Sequence, residues 1–172
     1  MGPRLFFLWY PPPLTGEEMR QIREIILHCS DSTFGSAALI DGWHQERGWD
    51  CIGYHYVICN GTQTKGADYD PGLDGAVQFG RLIETMGAHT KGHNAHSIGI
   101  CLIGIRHFTG PQLTSLRRLL LQLMDRYGLL LEDVHCHHEY NAAKTCPNLT
   151  AELIRELVRG GVYTPEPVPE ES

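Results

Sequence analysis

Residues 97–105 read Ser-Ile-Gly-Ile-Cys-Leu-Ile-Gly-Ile, an almost uninterrupted apolar run. A strand with no polar face must be covered on both sides. One such strand therefore demands a sheet lying between two helical layers, and the rest of the chain supplies the parts. Residues 22–29 form a second isoleucine-rich strand. Residues 36–47 place Ala37, Leu39, Ile40 and Trp43 at helical spacing, and Gly48 stops them. Residues 54–59 are strand-like, followed by the turn pair Asn60-Gly61. The polar, glycine-rich stretch 62–73 has no periodicity and is expected as a surface loop. Residues 74–80 look like the returning strand. Residues 109–127 are the main helix, capped by Thr109 with Pro111 in its first turn. Leu113, Leu116, Leu120, Leu123, Met124 and Tyr127 make its apolar stripe, and Gly128 ends it. Residues 129–135 lead into a histidine-rich segment, and residues 150–159 form a last amphipathic helix. Alternating strands and helices define an α/β chain, a single domain with a central mixed β-sheet flanked by helices. The expected boundaries are an N-terminal arm over 1–20, a domain over 21–160 and a disordered Pro/Glu-rich tail over 161–172.

At 172 residues the chain can bury one substantial core. Its 14 basic and 20 acidic residues give a formal net charge of −6. Phosphate binding rests on Lys and Arg, so no nucleic-acid partner is expected. No apolar stretch approaches the roughly 20 residues a membrane span needs. Arg4 precedes only six apolar residues, and the three prolines at 11–13 are no cleavage site, so no export signal is read there. The expectation is a monomer made in the cytoplasm. Six cysteines are present, most of them inside apolar runs. They read as small buried hydrophobes rather than as a disulfide framework.

The chemistry gathers at two places. His28 stands at a strand end, and alternation turns Cys29 to the opposite face, into the core. Far along the chain come His135, Cys136, His137 and His138, then Cys146 followed by Pro147. Two imidazoles and a thiolate would hold zinc and leave its fourth corner for water, the pattern of a catalytic rather than a structural site. Spacing alone does not choose between His137 and His138. Taken singly, each histidine reads as an ordinary core or surface residue, Lys144 as a solvated loop lysine and Tyr54 as a strand tyrosine of the core.

Several segments, in order, resemble the zinc-dependent N-acetylmuramoyl-L-alanine amidases, which include phage lysozymes of the amidase type and the peptidoglycan recognition proteins. They are Ile26-Leu27-His28-Cys29-Ser30, Trp43-His44, Gly48-Trp49 and Gly53-Tyr54-His55-Tyr56-Val57-Ile58. Further on come Gly80-Arg81, Gly87-Ala88-His89-Thr90-Lys91-Gly92-His93-Asn94, Ser97-Ile98-Gly99-Ile100, His137-His138-Glu139 and Lys144-Thr145-Cys146-Pro147. The resemblance covers about residues 22–150 and is specific as a set.

The resemblance implies one Zn2+ per chain on His28, His137 and Cys146, with His138 set aside. It implies Tyr54 and Lys144 as the catalytic pair, and it puts His89 and Asn94 on the substrate side. Glu139 becomes a candidate for orienting a ligand, and His55 is expected to be structural. His44, His93, His96 and His107 are given no role. Cysteine at the third ligand position marks the phage branch and the catalytic recognition proteins. The implied substrate is peptidoglycan, cut between N-acetylmuramic acid and L-alanine, with action on the bacterial cell wall as a phage or prophage endolysin. An intracellular amidase recycling muropeptides and a non-catalytic wall-binding module are the alternatives. Two departures from the pattern stand out: the long 62–73 stretch, and one extra residue between Glu139 and Lys144.

Overall fold

The structure is a computed structural model that describes residues 20–160. The arm, apart from Arg20, and the tail expected beyond Gly160 lie outside the described residues. Five strands form one sheet in the order β3-β2-β4-β1-β5. Its centre is β1 (Glu24–Cys29) and β4 (Ser97–Leu102), paired in parallel from Glu24 opposite Ser97 to Cys29 opposite Leu102. All six residues of β4 are buried, as its apolar run requires. On one side β2 (Tyr56–Asn60) runs parallel to β4 and antiparallel to β3 (Asp74–Phe79). On the other, β5 (Val134–Cys136) pairs in parallel with β1 over three residues. The sheet is mixed and lies between helices, as the sequence indicates.

The two faces of the sheet bury different things. One carries the main core: Ile25, Leu27, Cys29, Ile98, Ile100, Leu102, Tyr56 and Ile58 under α2 (Gly110–Tyr127) and α4 (Ala151–Arg159). The stripe Leu113, Leu116, Leu120 and Leu123 is the buried face of α2. At about 1.5–3 kcal/mol per fully buried leucine, this stripe is a leading source of stability. The other face carries a smaller cluster, Val57, Cys101 and Ile103 against Ile40 and Ile52, under α1 (Ala37–Glu46). By register, His28, Ile26, Gly99 and His135 lie on this second face. His28 therefore sits opposite the main core.

Local chemistry sets the helix ends. The Ser36 hydroxyl accepts from the Leu39 N–H at the start of α1. Thr109 and Gln112 form a reciprocal capping box at α2, and Gly128 closes that helix at φ 65. Gln112 is fully buried, and its amide donates to the carbonyls of Ile58 (3.1 Å) and Ile103 (2.8 Å). It thus satisfies the Ile103 carbonyl and adds a second donor to the Ile58 carbonyl, which also accepts from the Ile103 N–H.

Asn60-Gly61 does not make a tight hairpin turn. Residues 61–73 form the connection instead, pinned by the Asp70 N–H donating to the Gly61 carbonyl and by the Tyr69 hydroxyl donating to Asp74. The Tyr69 ring lies over Gly61, where a Cβ would come within 2.5 Å of it. The last segment departs from a continued strand. β5 stops at Cys136, and His137 opens the single-turn α3 (His137–Tyr140). All six cysteines are free thiols, and Cys29, Cys59, Cys101 and Cys136 are buried. Among the described residues no helix is long and apolar enough to cross a membrane.

Candidate metal centre

β1 and β5 are neighbours, with Leu27 opposite Cys136, so their ends deliver His28 and His137 side by side. Their ring centroids are 4.5 Å apart. Cys146 arrives from the loop after α3. One ligand-capable atom from each of His28, His137 and Cys146 lies within 4.8 Å of the others. The His28 Nδ1 is 4.0 Å from the Cys146 Sγ. A tetrahedral ion with bonds near 2.0 and 2.3 Å wants that separation at about 3.6 Å. For this pair zinc would need a contraction of a few tenths of an ångström.

The electrostatics agree. Burial, together with the neighbouring His89 and His137, holds the His28 imidazole well below its ordinary pKa. Burial and the nearby Lys144 and His138 charges lower His137. Both rings are therefore neutral at pH 7, with lone pairs available to a metal. In the metal-free protein the adjacent Cys29 thiol and burial push the Cys146 thiol up. The Cys29 backbone N–H works the other way, donating to the Cys146 Sγ at 3.1 Å. A dication beside that sulfur would favour the thiolate outright.

The supporting contacts sort the crowded histidines. Both the backbone N–H (3.0 Å) and the Nδ1 (3.1 Å) of His138 meet the Cys146 carbonyl. His138 thus ties α3 to the Cys146 loop and points away from the donor set. Glu139 accepts from the Cys136 N–H at 2.6 Å and lies 3.2 Å from His135 Nδ1. It braces the backbone turn that presents His137 rather than a ligand's imidazole. Cys136, His138 and Glu139 also lie close together, but each is already engaged, with the buried Cys136 thiol on the Leu149 carbonyl.

Tyr54 borders the donor set, its ring centroid 5.0 Å from that of His28. His44 backs it at 5.6 Å, and the His44 Nδ1 accepts from the Gly53 N–H. Burial pushes the Tyr54 phenol well up, so it is a hydrogen-bond donor at neutral pH. Lys144 is exposed on the loop two residues before Cys146, and its charge reaches His137. It lines an open basin of about 720 Å³ with Arg106, His138, Thr145 and Asn148.

His89 and Asn94, expected beside a substrate, are engaged with the protein itself. His89 is buried behind His28, its Nδ1 3.1 Å from the His28 Nε2. The Asn94 Oδ1 accepts from the backbone N–H groups of His89 and Thr90, each at 2.8 Å. His55 is fully buried, with its Nδ1 accepting from Gly99 and its Nε2 3.1 Å from the Thr85 carbonyl, the structural place expected for it. His93 lies against Tyr140 and pairs with Glu24. Arg20 donates to the carbonyls of Ile83, Asn94 and Ser97, stitching the start of the described chain to this region. Thr90 and Ser97 carry no assignment from the sequence, yet both lie against the buried histidines.

Two neutral imidazoles and a thiol at the end of a mixed α/β sheet make a donor set that could hold a metal ion. The chain belongs to the N-acetylmuramoyl-L-alanine amidase family, whose model matches residues 18–149. It is 37% identical over 136 residues to the endolysin of Escherichia phage T7, covering 72% of this chain and 79% of that one. Among solved structures it resembles the N-acetylmuramoyl-L-alanine amidase LysC from Clostridium intestinale URNW, with a TM-score of 0.66 and 28% identity over 81% of this chain and 86% of that one. The complex of the peptidoglycan recognition proteins LCa and LCx with tracheal cytotoxin shares the fold, with a TM-score of 0.62, 24% identity, and coverage of 79% and 82%.

Proposed function

We propose that the chain is an endolysin-type amidase of the bacterial cell wall. It hydrolyses the amide between the lactyl group of N-acetylmuramic acid and L-alanine of the stem peptide. One zinc ion would be held by His28, His137 and Cys146. The observation that carries this reading is the convergence of those three donors within 4.8 Å, inside the span that matches the family. All three come from one chain, so the donor set needs no second copy, and the enzyme is read as a monomer. Similarity to phage endolysins supports intact peptidoglycan as the target.

Bound zinc would supply a nucleophilic water at neutral pH and polarise the scissile carbonyl. The chain's own groups do the remaining work. Tyr54 keeps a protonated hydroxyl at the rim and donates it to the carbonyl oxygen as negative charge develops there. Lys144, whose charge is felt at His137, would bring a cation to the same oxygen and protonate the departing amine of L-alanine. His138 and Glu139 hold the turn and the loop so that His137 and Cys146 meet His28 without large rearrangement. Asn94 and His89 serve the interior of the site rather than the substrate.

The direct test incubates zinc-loaded protein with purified sacculi and measures newly exposed L-alanine amino termini. Release is expected, and tight binding without release would leave only a wall-binding module. A parallel assay on soluble anhydro-muropeptides is expected to be slower than on sacculi. Activity confined to the soluble fragments would move the enzyme to muropeptide recycling.

A further inference from the structure

His28 presents one nitrogen to each side. Its Nδ1 faces Cys146, and its Nε2 faces the interior, 3.1 Å from the His89 Nδ1 and 3.3 Å from the Thr90 Oγ1. A neutral imidazole offers a lone pair on Nδ1 only if its proton sits on Nε2. The groups behind it decide where that proton goes.

The order can be read from the far end. The Ser97 hydroxyl lies 2.8 Å from the His93 carbonyl, which can only accept, so Ser97 donates there. Its lone pairs are then free for the His89 Nε2, 3.3 Å away. His89 consequently carries its proton on Nε2 and a lone pair on Nδ1, directed at the His28 Nε2. His28 must donate, which leaves its Nδ1 bare on the metal side. Thr90 fits the same order. Its hydroxyl, 3.2 Å from the His89 Nδ1, can accept from His28 and donate to His89. Either route puts the His28 proton on Nε2.

The His89 ring is also held mechanically. A Cβ on Gly99 would stand 2.5 Å from the His89 Cδ2, and one on Gly87 would stand equally close. Asn94 fixes the backbone at His89 and Thr90. Ser97 and Gly99 alternate on one face of β4, one bonding the ring and the other making room for it.

We propose that His89 is a positioning residue that, with Ser97, fixes the tautomer and ring plane of His28 so that Nδ1 faces the zinc. The proposal rests on His28 being a zinc ligand. Removing such an outer partner weakens metal affinity by about 10–100-fold.

The test measures zinc affinity by chelator competition, and visible spectra after cobalt substitution, in folded His28→Ala, His89→Ala, His89→Gln, His89→Asn and Ser97→Ala proteins. Asparagine sets an oxygen near the position of the lost Nδ1, whereas glutamine sets its amide near the position of Nε2. His89→Ala and His89→Gln should each lose about 10–100-fold in affinity and shift the cobalt bands. His89→Asn should stay within about threefold of the parent, and Ser97→Ala should show a smaller loss in the same direction. Equal losses in all three His89 variants would reduce His89 to a space-filling role and overturn the proposal. Parent-like affinity and spectra in His89→Ala and Ser97→Ala would overturn it as well. His28→Ala separates the two levels: retained zinc there would remove His28 from the ligand set, whereas zinc lost there and kept in His89→Ala would remove only the positioning role.

Discussion

Tyr54 offers one hydroxyl on a ring packed against His28 and His44. Tyr54→Phe keeps the ring and deletes the donor. The expected result is a fall in kcat of about 10²–10³, the usual loss for an oxyanion donor. Zinc content, measured by elemental analysis, should stay at one ion per chain. A fall in zinc would mean that the hydroxyl supports the metal site itself and not only the reaction. At this scale the sequence was legible for His28, whose strand-end position and alternation against Cys29 both hold in the structure. It was not legible for the choice between His137 and His138. The strand ends at Cys136, before either of them, so period-two reasoning no longer applies where the choice falls. The two backbone-directed bonds that occupy His138 leave no trace in spacing. Nor does spacing reveal that His89 and Asn94 turn inward, because a Gly-x-His loop reads the same whether its ring meets solvent or another histidine.

Gly99 lies in the middle of β4, where a side chain would ordinarily help the strand. The ring of His89 explains the exception. Gly99→Ala sets a methyl against the His89 ring, on a residue whose N–H is held by His55. The expected cost is about 1–3 kcal/mol in urea denaturation, typical of overpacking. Weaker zinc binding should accompany it. A stable variant of unchanged metal affinity would show that the His89 ring can move freely. The long elements, β1, β4, α1 and α2, announce themselves through apolar periodicity and caps, and the structure places them within a few residues of expectation. β5 does not, because three residues are too few for a pattern, and its place beside β1 depends on pairing alone. The Asn60-Gly61 signal also misleads. Asp70 and Tyr69 close that connection from ten residues away, which local turn chemistry cannot report.

Across the whole molecule, buried neutral histidines couple stability to acid. Burial holds His55 at about 4, against an ordinary value of 6.5. Below pH 6.5 the unfolded chain takes up a proton that the folded protein refuses, so stability rises with pH across this window. It is lost as pH falls from about 6.5 towards 4. A shift of this size corresponds to about 3 kcal/mol from His55 alone. His89, held by burial and by His55 at about 3, adds to the loss. Urea midpoints measured between pH 4 and 7 should fall steadily towards acid, and a flat profile would contradict the buried neutral state of these rings.

The ligand-bearing segments meet across the length of the domain. Cys146 lies 118 residues beyond His28, and three paired residues of β5 bring its segment to the sheet. A metal bridging those positions would act as a reversible cross-link on the polymer as well as a reagent. A covalent tie closing a loop of about this length is worth about 4–5 kcal/mol in the chain-entropy account. Chelation should then lower the thermal midpoint, and limited proteolysis should cut the 141–150 loop ahead of the rest of the domain. An unchanged midpoint and cleavage pattern would show that the loop is anchored without the ion. An enzyme built this way would lose one tie between distant parts of its chain in the same event that silences it, so metal scarcity would be read out as turnover of the protein itself.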